Sequence, residues 1–205
     1  MSTIASKARP KVGEPSWEVA YLFPAQGTWT EEEYLALPEN RLLELSSGFL
    51  EVLPMPTTSH QIIIAFLYRA LLALTEPRQL GTVLFAGIKV RLWKGKIRQP
   101  DVVFMLAKHA DRMGEEYWRG ADLVMEVVSG TAKDRQRDLK TKVAEYARAR
   151  IPEYWIIDPR EAQITVLRLK GQKYAVHGRY GRGERARAVL LKGFEVEVDA
   201  ALAGK

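Results

Sequence analysis

Residues 122–158, DLVMEVVSGTAKDRQRDLKTKVAEYARARIPEYWIID, carry the reading that decides the fold class. Positions 123–128 and 154–158 are short apolar runs rich in β-branched and aromatic residues, the pattern of strands buried on both faces. Between them, Asp134 precedes a helix that runs to about residue 150. Leu139, Val143, Tyr146 and Arg150 recur at i, i+4, i+7 and i+11, and Pro152 lies just past the expected end. A strand, a helix and a strand of these lengths form the right-handed crossover that joins parallel neighbours.

Upstream of this unit, Thr30 and Glu33 make a T-x-x-E capping box that opens a short helix through Leu37, closed by Pro38 and Asn40. Residues 49–53 read as a strand ended by Pro54 and Pro56. Ser59 is placed to cap a helix reaching about Thr75, with Ile62, Phe66, Arg69 and Ala70 showing its spacing. Strands follow at 82–86 with 88–93 and at 97–106, with Gly95 in the turn between them. Downstream, 164–169, 173–176, 188–191 and 194–198 are short strands separated by glycines, as in hairpins. The order predicts an α/β fold: a mixed β-sheet flanked by helices, with additional β-hairpins. Residues 1–15, with Pro10, Gly13 and Pro15, read as a flexible tail, and 16–205 as a single domain.

Composition narrows the function classes. There is no cysteine among the 205 residues, so disulfides and thiolate metal sites are excluded. The first 15 residues lack the apolar core of a secretory signal, and no apolar run approaches the ~20 residues of a membrane span. A cytoplasmic protein is the expectation. The net charge of +6 suits a polyanionic partner such as nucleic acid. Basic residues recur in the C-terminal hairpins (Arg168, Lys170, Lys173, Arg179, Arg182, Arg185, Arg187), either as phosphate contacts or as solvated strand faces. No G-x-x-x-x-G-K, G-x-G-x-x-G or G-x-S-x-G is present, so nucleotide-binding and serine-hydrolase chemistries lack their anchors. The three histidines are far apart, which disfavours a histidine zinc site.

Three polar residues stand out. Asp101, in RQPDVVFM, lies at the mouth of an apolar strand, as a turn residue or a site residue. Glu126 sits inside LVMEVV, where an unpaired buried charge costs several kcal/mol. It therefore requires a cation, a metal or a raised pKa. Lys142 falls at the margin of the Leu139–Val143–Tyr146 stripe, within reach of the sheet, while Lys140 points away. The plainer reading is an exposed lysine paired with Asp138 at i, i+4. Glu44 and His60 are supporting candidates, each either orienting a carboxylate or phosphate or serving local structure.

Together these segments resemble the PD-(D/E)XK nuclease superfamily and, more closely, the Uma-type family of restriction-endonuclease-like proteins. The resemblance rests on RLLELSSGFLEVLPMPTTSHQ (41–61), PDVVFM (100–105), DLVMEVVSG (122–130), DLKTKVAEYARARIPEYWIIDP (138–159) and LLKGFEVEV (190–198). It implies an endonuclease hydrolysing phosphodiester bonds of DNA with Mg²⁺ or Mn²⁺, held by Asp101, Glu126 and the backbone carbonyl of Val127. Lys142 would position water or stabilise the transition state, with Glu44 and His60 in support and a homodimer by analogy. The superfamily formula would put its lysine at Val128; in this pattern Lys142 on the following helix takes that part. Arg150 stands where the family usually has glycine. The alternative is a non-catalytic scaffold of the same fold, binding nucleic acid or another protein.

Overall fold

The computed structural model of the chain describes residues 23–37, 42–129 and 135–204. The expected tail at 1–15, the helix stop at Pro38 and Asn40, and the helix start at Asp134 lie outside them.

The Thr30 capping box forms in both directions and opens α1 (Glu31–Leu35). A five-stranded sheet is built from β1 (Leu43–Ser46), β2 (Phe49–Val52), β4 (Val90–Trp93), β5 (Lys96–Arg98) and β7 (Trp118–Arg119), in the order β2-β1-β5-β4-β7. A six-stranded sheet contains β3 (Gly81–Phe85), β6 (Val102–Leu106), β8 (Leu123–Val127), β9 (Glu153–Asp158), β10 (Gln163–Lys170) and β11 (Lys173–Tyr180), in the order β11-β10-β9-β8-β6-β3. β8 and β9 are parallel, joined across α3 (Lys142–Arg148); the other pairings of this sheet are antiparallel. A short ladder of β12 (Arg185–Arg187) and β13 (Glu195–Glu197) comes next, then α4 (Val198–Ala203).

Strand alternation sorts the larger sheet into two faces. Val102 and Phe104 of β6, with Leu123, Met125 and Val127 of β8, join α2 (Thr58–Thr75), Trp155 and Phe194 in one core. Val103 and Met105, with Val124 and Val128, pack with Tyr146 of α3 and Tyr154 in the other. By the same parity Asp101 and Glu126 face α3. α2 is long and apolar enough to cross a bilayer, but Ile63, Ile64, Leu67 and Leu71 are sunk into the sheet core.

Several sequence expectations are corrected. The 97–106 strand breaks at Pro100 into β5 and β6, which belong to different sheets. Proline has no N–H for a ladder, so the chain changes sheets there. Thr57, not Ser59, caps α2 by accepting from the His60 N–H. The inward face of α2 follows Ile63, Ile64, Leu67 and Leu71, and Ile62 is 44% exposed. Residues 188–191 form a turn between β12 and β13, and 198 begins a helix. β1, carrying Glu44, was not expected as a strand.

α3 ends in a Schellman motif, with Ile151 N–H bonded to the Tyr146 carbonyl and Arg150 N–H to that of Ala147. Arg150 holds the left-handed position at φ 60°, where glycine is favoured. A side chain there costs about 1–2 kcal/mol.

Candidate active site

Pro100 places Asp101 at the seam between the sheets, and the Val102↔Met125 pairing sets it beside Glu126. Asp101 is held from two directions. Its Oδ2 accepts the Val127 N–H at 2.7 Å, and its Oδ1 lies 3.1 Å from His60 Nε2. His60 is delivered by the first turn of α2, which Thr57 fixes.

The helix facing them is not regular. Residues Arg137–Thr141 form a π-turn in which the Lys142 N–H reaches back to the Arg137 carbonyl, five residues away. The wider turn rotates the remainder of the helix away from the phase a regular one would have. Lys142 and Tyr146, at i and i+4 of the regular part, face inward with Asp138, while Leu139 inside the wide turn is 37% exposed. The expected stripe is corrected accordingly: Lys142 is at the centre of the buried face, 3% exposed, rather than at its margin. Such one-turn π insertions recur at functional sites.

Lys142 Nζ lies 2.8 Å from Glu126 Oε1, 3.5 Å from Asp138 Oδ1 and 3.9 Å from Glu44 Oε1. Tyr146 donates its hydroxyl to Glu126 Oε1 at 2.6 Å. Behind them, Glu44 is fully buried and accepts Arg98 Nη1 at 2.6 Å and the Gln99 N–H at 2.9 Å. Arg98 also donates to Glu51 and, through Nε and Nη2, to Glu145. The i, i+4 pairing of Lys142 with Asp138 is thus present, but buried.

Charge is unequally shared. Burial pushes Glu126 up to about 8; Lys142 opposes this, while Asp101, Asp138 and Glu44 add to it. Burial would discharge Lys142, but Glu126, Glu44, Asp138 and Asp101 outweigh it and hold the amine above the usual lysine range. Burial also raises Glu44, yet Lys142 and Arg98 together keep it below the usual range. One lysine serves several carboxylates, and Glu126 receives too little of it.

This sets a pH dependence. The folded Glu126 binds a proton that the unfolded chain releases near pH 4.5, so its contribution to stability is complete below that pH. It is lost as pH rises toward about 8. In chelator-treated protein, urea midpoints should therefore fall between about pH 5 and 8, and Glu126→Gln should flatten that slope with little change near pH 5. Parallel profiles for the two proteins would refute the assignment.

Asp101, Glu126, Val127, Lys142, Asp138 and His60 line one cavity of about 70 Å³, with Glu44 directly behind it. That is room for a few waters or a small ion, so a larger substrate would meet it from the surface. Among the described residues no group of three or more metal-ligating side chains is set to hold an ion unaided. Any hard cation would draw on the two carboxylates, backbone oxygen and water. Asp138, Tyr146 and Arg98 were missed as members of this constellation. Asp138 had a signal in its spacing from Lys142, Tyr146 read as core, and Arg98 had none. Of the basic C-terminal residues, Arg182, Arg185 and Arg187 are occupied by Asp199, Glu195 and Glu197.

A family model, Uma2, described as "Putative restriction endonuclease", matches residues 31–201. The fold is similar to the crystal structure of a protein from Anabaena variabilis described as a putative nuclease belonging to DUF820. The TM-score is 0.70 at 16% identity, over 86% of this chain and 98% of the other. No curated protein matches.

Proposed function

Because the chain belongs to the Uma2 family, we propose that it is a metal-dependent endonuclease that hydrolyses phosphodiester bonds of DNA, with Asp101, Glu126 and Lys142 as the reacting set. The observation that carries this reading is the buried Lys142–Glu126 pair at 2.8 Å, opening on the cavity that Asp101 also lines. A structural ion pair alone would not need a second carboxylate beside it.

The donor set fits a hard divalent ion. Carboxylates outnumber the cations that face them, and this excess adds to the burial that pushes Glu126 up to about 8. A residue in an extended strand turns its N–H and carbonyl to the same edge. The Val127 N–H meets Asp101, so its carbonyl belongs to that edge as well. Asp101, Glu126 and the Val127 carbonyl would hold Mg²⁺ or Mn²⁺, with water completing the shell. A bound ion supplies Lewis acidity to the phosphate and lowers the pKa of a coordinated water.

The chain's own groups do the rest. Lys142, kept charged, offsets negative charge that grows on the phosphoryl oxygens. His60 and the Val127 N–H fix the rotamer of Asp101, and Tyr146 fixes Glu126. Glu44 braces the lysine from behind. By analogy with restriction-type nucleases that pair to cut both strands, the active form is a homodimer.

Incubation of supercoiled plasmid with the protein and Mn²⁺ or Mg²⁺ tests this. We expect nicked and linear products, suppressed by chelator, and at least a ~100-fold lower rate for Asp101→Asn. Products that persist in chelator, or an Asp101→Asn rate within a few-fold of the parent, would sink the proposal.

A further inference from the structure

We infer that the cleft between the β4–β5 turn, the 3₁₀ segment Ala107–Arg112 and the C-terminus of α3 is a second anion site, which takes the phosphate backbone of nucleic acid outside the catalytic cavity. The cleft is open, about 610 Å³, and Lys94, Arg112 and Arg150 enter it from three separate elements. None of these three cations has a carboxylate partner among the described residues. Arg91, also in the wall, is already paired with Glu31 at 3.1 Å. The one acidic residue of the lining, Asp122, is buried and taken by the Leu106 N–H and His109.

Two features separate this from an ordinary solvated basic face. Unpaired like charges gathered in a concave wall repel one another, and the concavity concentrates their field on a bound anion. Arg150 moreover sits at φ 60°, a position that suits glycine, and its side chain lines the cleft. Backbone strain retained in this way is a mark of functional sites. At the rim, Arg148 lies over the Trp93 ring at 4.2 Å, which adds a further cation held in place by the indole.

The site lies at the far end of the fold from catalysis. Asp101 precedes β6 and Arg112 comes after it, so about 17 Å of strand separates them at ~3.4 Å per residue. A polymer cut at one end would be gripped at the other. The nuclease reading enters only in choosing a polynucleotide as the anion.

The test is fluorescence anisotropy of a labelled 30-base-pair duplex in EDTA, across a salt series. Lys94→Gln/Arg112→Gln/Arg150→Gly should weaken binding and reduce the log–log salt slope by about 2–3, near 0.9 per lost contact. Arg150→Gly alone should raise Tm while weakening binding, opposite signs that a purely structural arginine would not give. Arg182→Gln, whose arginine is already paired, should change little. An unchanged affinity and slope in the triple variant overturns the inference, even if plasmid cleavage still requires Asp101. Competition by ATP with equal or tighter affinity than the duplex overturns the polymer assignment in favour of a free nucleotide. Cleft-dependent binding without cleavage in Mg²⁺ or Mn²⁺ supports the inference and removes the nuclease reading instead.

Discussion

Replacing Lys142 by methionine is expected to slow phosphodiester cleavage by about 100-fold or more while leaving the chain folded. Removing one preorganised charge from a site of this kind costs about 10²–10³ in rate. Methionine keeps much of the side-chain volume, so packing against Tyr146 should survive. The cost to folding depends on pH. Near pH 6 Glu126 already carries a proton, since burial lifts it to about 8, and loses little when the cation goes. Without the cation at 2.8 Å the carboxyl holds its proton to still higher pH, so the cost relative to the parent grows only as pH climbs past about 8; Glu44 keeps Arg98 and Asp138 keeps Arg137 throughout. Single-turnover cleavage and thermal melts at pH 6 and pH 8.5 separate the two effects. A rate within ten-fold of the parent, in protein that melts normally at pH 6, would remove Lys142 from the chemistry.

The largest loss of stability is expected from Arg98→Met. Arg98 is 1% exposed and joins Glu44, Glu51 and Glu145, tying β5 to both β1–β2 and α3. Breaking a buried pair by removing one partner costs about 3–5 kcal/mol, because the remaining charge is stranded. For a chain of this size that lowers Tm by roughly 6–20 °C. Glu44, with no exposed surface and only Lys142 at 3.9 Å and the Gln99 N–H left to meet its charge, is the main source of the loss. Adding Glu44→Gln should therefore recover part of it, a positive coupling in a double-mutant cycle. A fall under about 1 kcal/mol, or strict additivity, would show that the network contributes little beyond packing. Activity offers a second readout, since Glu44 lies 3.9 Å from Lys142.

The crossover was legible in the sequence because periodicity is local. Two apolar runs around an amphipathic helix permit few arrangements, and β8, α3 and β9 keep that order. Glu126 stood out for a related reason: a carboxylate in LVMEVV has no polar neighbour on its own strand, so something distant must compensate it. Pro100 marked an interruption, and Asp101 beside it drew notice, although the change of sheet was not foreseen. Lys142 falls at the margin of the inward face only when Leu139 is counted into the stripe. The π-turn at Arg137–Thr141 carries Leu139 out of phase with Tyr146, and a single i→i+5 bond leaves no trace in residue order.

By itself, then, the sequence determined the fold class, the strand that carries Glu126 and the helix that carries Lys142. All three come from periodicity and from the cost of burying charge. Only the tertiary structure decided which groups surround them. Arg98 and Glu44 are 54 residues apart, and Arg98 sits in a strand segment that reads like any other. Its burial, the clamp of His60 on Asp101 and the cleft around Arg150 all arise where separate elements meet. Ion pairs and hydrogen bonds act over a few ångströms in space, and chain order does not encode which distant groups that space will hold.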